Sequence, residues 1–131
     1  MSQDPINGII QLIDLGLMKY ISPEFLENWN FDQRNPHHSL TSGKHSLMVL
    51  EKAITDYPDS SLEVRLSCLF HDISKAFRNE KKDDLNMPDG YKLTYHGHEI
   101  WSAEMSSDIL KRLKYANDII EKVHFLIINH M

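Results

Sequence analysis

Apolar residues return every three or four positions through Ile9, Ile10, Ile13, Leu17 and Met18, the spacing of a helix that buries one face. Asp4 followed by Pro5 supplies its start, a capping carboxylate and a first-turn proline. Ser22-Pro23 repeats that signal ahead of a shorter helix ending near Trp29. Over residues 30–43 the period dissolves, and Asn35, Pro36, Gly43 and several hydroxyls predict a loop. A third helix starts near Thr41 or Ser42 and carries His45, Leu47, Met48, Leu50 and Ala53 to about Tyr57, closed by Pro58-Asp59. Ser60 and Glu63 are spaced as a capping box for a fourth, through Val64, Leu66, Cys68, Leu69 and Phe70 to His71-Asp72. Residues 79–95 are polar and hold the turn signal Asp89-Gly90, so the Tyr91–Tyr95 run is either a short hairpin arm or an extended loop. A fifth helix runs from about Gly97 to Leu113 and a sixth from about Asn117 to the end. The pattern predicts an all-α fold, a single compact bundle of about six helices. With no repeat, linker or low-complexity stretch, residues 1–131 read as one domain.

Composition narrows the setting. Hydrophobic residues at 41% and charged residues at 25% are those of an ordinary soluble globular protein. The first residues are too polar for a signal peptide, and no apolar run reaches the roughly eighteen residues of a membrane span. Cys68 is the only cysteine and cannot form an internal disulfide, which predicts a reducing, cytoplasmic location. A net charge of −5 argues against tight, charge-driven binding of long nucleic acid, so a tRNA or RNA end is a partner that charge does not support. Lys75, Arg78, Lys81 and Lys82 form one basic cluster, read alone as a solvated helix end or loop. Eight histidines are the compositional feature that points to chemistry.

The informative stretch is FHDISK, with His71 and Asp72 ending an apolar helix. Neighbours on a helix point about 100° apart, yet one ion between them can take an imidazole nitrogen and a carboxylate oxygen together. A third ligand must come from another element. His45 is the natural candidate, brought close if the third and fourth helices pack antiparallel. Imidazole and carboxylate donors with water suit a divalent metal: Mn, Fe, Co, Ni, Zn or Mg. Such an ion acidifies water and neutralises phosphoryl charge, as hydrolysis of a phosphate ester requires. His96 and His98 open the fifth helix in YHGHE and His130 closes the sixth in INHM. Alone, His98 reads as a helix-start cap and His130 as a cation favoured by a helix C-terminus, while His124 reads as a packed or half-exposed helix residue.

Taken in order, GLMKYISPEF, NPHH, KHSLMVL, RLSCLFHDISK, HGHE and INHM resemble the HD superfamily of metal-dependent phosphohydrolases, and more narrowly the HD domain of bacterial CCA-adding tRNA nucleotidyltransferases. The resemblance spans roughly residues 8 to 131 and implies a helical bundle. It implies that His45, His71 and Asp72 bind metal and that Lys75 lies near the phosphate. It further implies a second metal or a phosphate at His98 and His130, with His96 beside them, and a substrate loop at His37 and His38. Ser74 stands where the family commonly has glycine, adding a hydroxyl near the site. The aspartate that usually completes the metal shell lies beyond the last histidine motif, whereas this sequence ends at Met131; Asp108 and Asp118 match no expected position. No Gly-Ser stretch followed by paired aspartates precedes this domain, so the resemblance does not extend to CCA addition itself.

The expected activity is hydrolysis of a small phosphate ester, a nucleotide with a 2′,3′-cyclic or terminal phosphate. In that reading Asp72 orients water or accepts its proton, and Lys75 and His98 stabilise phosphoryl charge. Two alternatives stay open: a catalytically weak HD domain that binds a nucleotide or regulates, and a helical interaction domain with structural histidines.

Overall fold

The computed structural model describes residues 4–34 and 40–130. The chain order is α1 (Pro5–Asp14), α2 (Met18–Ile21), α3 (Pro23–Trp29), α4 (Ser42–Asp56), α5 (Leu62–Phe70), β1 (Glu80–Asp83), β2 (Tyr91–Thr94), α6 (His98–Arg112) and α7 (Asn117–Ile128). The fold is the expected all-α bundle with a small hairpin on it. Among the described residues it has seven helices where the apolar pattern predicts about six. The extra one arises at Gly16, whose φ of +73° stops α1 at Asp14. Met18, expected on the first helix, therefore opens α2.

Side chains set most helix starts. Asp4, Ser22 and Thr41 each accept a hydrogen bond from the backbone N–H three residues on, satisfying a donor that the helix itself leaves open. At α5 the cap is Ser61, not Ser60: Ser61 accepts from Val64 N at 3.2 Å. That shift puts Glu63 at the second helical position, so the box does not form, and Ser60 Oγ accepts from Arg65 Nε instead. The YKLTY run resolves to the hairpin, with Lys81 opposite Leu93 and Asp83 opposite Tyr91. Gly90, at φ +82°, turns the chain between its strands.

The core gathers Ile9, Met18, Phe25, Leu47, Leu50, Leu66, Phe70, Ile109, Leu110 and Val123, drawn from α1 to α7. Gly43 allows α4 to lie against α3, because a Cβ there would stand 2.6 Å from Trp29 Cα. Two polar ties hold the turn that follows α5. Asn28, buried on α3, donates to Ile73 O at 2.7 Å and accepts from Ala76 N. Ser74 N donates to Ser102 Oγ of α6, and the two hydroxyls share a 2.8 Å hydrogen bond. These ties fix residues 71–76 between α3 and α6. No helix is long and apolar enough to cross a membrane among the described residues.

Candidate metal centre

His71 is the residue at which α5 ends, where carbonyls lack helical partners. Its Nδ1–H donates to Cys68 O at 2.7 Å, one turn back, which leaves the Nε2 lone pair pointing away from the helix. His130, just past α7, repeats the arrangement: Nδ1 bonds to Ile127 O. His98, at the start of α6, bonds Tyr95 O through Nδ1 at 3.1 Å. Three separate elements thus use the same i−3 carbonyl contact to aim a ring nitrogen.

All three nitrogens aim at Asp72. Nε2 of His71 lies 3.1 Å from Asp72 Oδ2, and Nε2 of His45, from the first turns of α4, lies 3.9 Å from the same oxygen. The other oxygen, Oδ1, lies 3.3 Å from His98 Nε2 and 3.9 Å from His130 Nε2. The His45 and His71 rings are 5.8 Å apart, so α4 and α5 do bring them to one side of the bundle. Two donor groups result, His45–His71–Asp72 and Asp72–His98–His130, with the donor atoms of each within 4.8 Å of one another. Metal bonds of about 2.0–2.2 Å set neighbouring donors roughly 3–4 Å apart, so modest closure meets the requirement. Lone pairs converging on a carboxylate repel it unless a proton or a cation lies between. The donor chemistry therefore fits a divalent ion in each group.

Asp72 is buried, at 4% exposure. Burial alone would raise its pKa, but hydrogen bonds from His71 and His98 and the charges of His71 and Lys75 hold it far below the ordinary carboxylate range. For His71 burial works to lower the pKa, and the neighbouring Asp72 carboxylate outweighs it, leaving the imidazole above its usual value. Lys75 is 7% exposed, its Nζ 3.5 Å from Asp72 Oδ2, 2.9 Å from Gln33 Oε1 and 4.9 Å from the centre of the Tyr95 ring.

Not every candidate joins this centre. His96 is exposed beside Phe77, Arg78 and Trp101, away from both donor groups. His96 stands before α6, and the one residue between it and His98, Gly97, turns the chain at φ +72°. His37 and His38 lie outside the described residues. His124 makes a half-exposed contact with Glu104, in keeping with a helix-surface role. The Ser74 hydroxyl faces Ser102 and His98 O inside the bundle, so it braces α6 rather than lining the site. The basic cluster does not act as one patch: Lys75 turns inward, Arg78 stacks 3.3 Å from the centre of the Trp101 ring, and Lys81 lies over Tyr91. Asp108 and Asp118 are exposed and belong to neither donor group. Sequence reasoning missed Gln33 and Tyr95. Gln33, 1% exposed, accepts from Lys75, donates to Leu40 O and takes the Tyr95 hydroxyl on its own carbonyl.

A buried carboxylate ringed by imidazoles, entered from the sequence pair His-Asp, defines a class. The chain belongs to the HD domain family, whose pattern matches residues 38–131. It is 33% identical over 130 residues to the A-adding tRNA nucleotidyltransferase of Deinococcus radiodurans, an alignment covering 99% of this chain and 29% of that protein. It is 28% identical over 124 residues to the CC-adding tRNA nucleotidyltransferase of Thermus thermophilus, covering 95% of this chain and 27% of the relative. A multifunctional CCA protein of Herminiimonas arsenicoxydans is 29% identical over 119 residues, 90% of this chain and 26% of its own length. The chain thus spans less than a third of each of these relatives. No solved structure matches it significantly.

Proposed function

We propose that the chain is a metal-dependent phosphohydrolase acting on a small phosphate ester, a nucleotide with a 2′,3′-cyclic or terminal phosphate. The observation that carries this reading is Asp72, whose two oxygens each face a pair of imidazole nitrogens. When bound, a divalent cation supplies a Lewis acid for a phosphoryl oxygen and lowers the pKa of a coordinated water. His45, His71 and Asp72 would hold it. Asp72, His98 and His130 would hold a second cation or receive the phosphate directly.

The surrounding residues have roles that follow from their own chemistry. Asp72, the carboxylate common to both donor groups, serves as ligand and orients water or accepts its proton. Lys75, fixed by Gln33, sets a positive charge beside the carboxylate and stabilises charge developing on phosphoryl oxygens. In a one-cation site His98 Nε2 is the group that gives a proton to the leaving oxygen. The family membership supports the hydrolase class, and relatives named for tRNA nucleotidyl transfer support a ribonucleotide or RNA end as the ester.

The test is an assay of the Mn-, Ni- or Co-loaded protein on 2′,3′-cyclic AMP, 2′-AMP and an aryl phosphate, beside His71→Ala and Asp72→Ala. Hydrolysis that both substitutions abolish is expected. Turnover that survives in both variants would sink the assignment.

A further inference from the structure

We infer that the ester's ring is seated in an apolar cavity adjoining His71 and His130, and that it is recognised there by its faces and not by its hydrogen-bonding edge. This rests on the phosphate-ester reading above and adds what that reading lacks, the part of the substrate beyond the phosphate.

The cavity, of about 330 Å³, is walled by Val49, Val64, Cys68 and Leu126, with His71 and His130 at the side of the metal centre. Its position follows from helical spacing. Val49 lies four residues after His45 on α4, and Cys68 lies three before His71, the residue that ends α5. Residues three and four apart share a helix face, so each of these two wall residues sits one turn, roughly 5.4 Å, from a donor. Leu126 lines the wall from α7, and His130, just past that helix, lines it directly. Val64 extends the wall by a further turn along α5. A phosphate held at the donors therefore directs its substituent to this cavity.

The wall offers shape without a hydrogen-bonding code. The Ser67 hydroxyl, also in the lining, already donates to Glu63 O at 2.6 Å. The Nδ1–H groups of His71 and His130 are held by Cys68 O and Ile127 O. The Cys68 thiol is only a weak hydrogen-bonding group. Val49, Val64 and Leu126 have no polar side-chain atom at all. Rejecting a base by its edge requires buried polar groups that a wrong base leaves unpaired, and this wall has none to leave. A base gains by covering apolar surface, so purine and pyrimidine nucleotides are both accepted, and a sugar phosphate without a base is disfavoured.

Cys68 provides a direct readout, because it is the only cysteine and it lines the cavity. The metal-loaded chain is treated with iodoacetamide alone and with adenosine 5′-monophosphate, cytidine 5′-monophosphate, ribose 5-phosphate or inorganic phosphate. Both nucleotides should slow alkylation about tenfold at saturation, while ribose 5-phosphate and phosphate leave it unchanged. In turnover, the two nucleotides should differ by less than about fivefold in kcat/KM and exceed ribose 5-phosphate by about tenfold, with Val64→Phe narrowing that gap. Equal alkylation with and without the base, or a gap that Val64→Phe leaves intact, overturns the inference while the hydrolase reading stands. Shielding of Cys68 by nucleotides with no hydrolysis of any ester would instead overturn the hydrolase reading and keep the cavity as a nucleotide seat.

Discussion

Lys75 Nζ donates to Gln33 Oε1 at 2.9 Å, a contact between a loop residue and the HD turn in which both side chains are almost wholly buried. A buried ammonium needs acceptors, and here it has two, the Gln33 amide oxygen and Asp72 Oδ2. Gln33→Leu removes one of them and leaves Leu40 O without its amide donor. The expected cost is about 1–3 kcal/mol of stability, read by urea unfolding. A further fall in turnover of the folded variant, with KM for the ester rising, would mark Gln33 as positioning Lys75. An unchanged unfolding midpoint would contradict the buried contact.

A cation that binds the folded donors and not the unfolded chain must raise stability. At about a hundred times its Kd, one site contributes about 2.7 kcal/mol, seen as a rise in melting temperature that a chelator reverses. Asp72→Ala removes an oxygen from both donor groups and should abolish the rise. His130→Ala touches only the second group and should keep most of it. Equal loss in both variants would show that the two groups do not bind separately.

Arg112 grips Glu24 through both terminal guanidinium nitrogens, Nη1 and Nη2, at 3.0 and 2.9 Å, tying α6 to α3. Burial alone would raise the Glu24 pKa, but the Arg112 hydrogen bonds and charge bring it below the ordinary glutamate value. The folded chain thus binds this proton less readily than the unfolded one. Its contribution is complete above the unfolded value of 4.5 and is lost as pH falls through the lower folded value. Because Arg112 is half exposed, the pair is worth only about 0.5–1 kcal/mol. Glu24→Gln should remove that amount at pH 7 and next to nothing near pH 2, measured by unfolding at the two values.

Gly43→Ala opposes two effects. Alanine favours a helix by about 1 kcal/mol over glycine. Its Cβ would meet Trp29 Cα at 2.6 Å, a backbone atom that cannot swing aside. Overpacking of that kind costs about 1–3 kcal/mol, so the variant is expected to be less stable, with a lowered melting temperature. A gain in stability would mean that α3 shifts freely.

The sequence disclosed what local physics governs. Asp4, Ser22 and Thr41 cap helices where their side chains said they would, and the His71–Asp72 pair does meet His45. Errors fell where two local signals competed. Ser60 and Ser61 are both good caps, and the helix takes the second. Gly16 could continue a helix or leave it, and it left. Asn28, Gln33 and Tyr95 escaped notice for a different reason. Each acts through hydrogen bonds to residues 42 to 62 positions away, and no spacing rule marks a partner at that distance. His96 shows the reverse: its neighbour His98 faces Asp72, and one left-handed glycine between them sends the two imidazoles apart.

The i−3 carbonyl contacts of His71 and His130 couple the aim of the donors to the last turns of α5 and α7. Helix ends are where chains open first, long before the bundle melts. Fraying of a single terminal turn would swing a ring away and let go of the ion with the core still intact. The centre should therefore behave as a latch that releases below the temperature of global unfolding, and a bound cation should stiffen two helix ends at once.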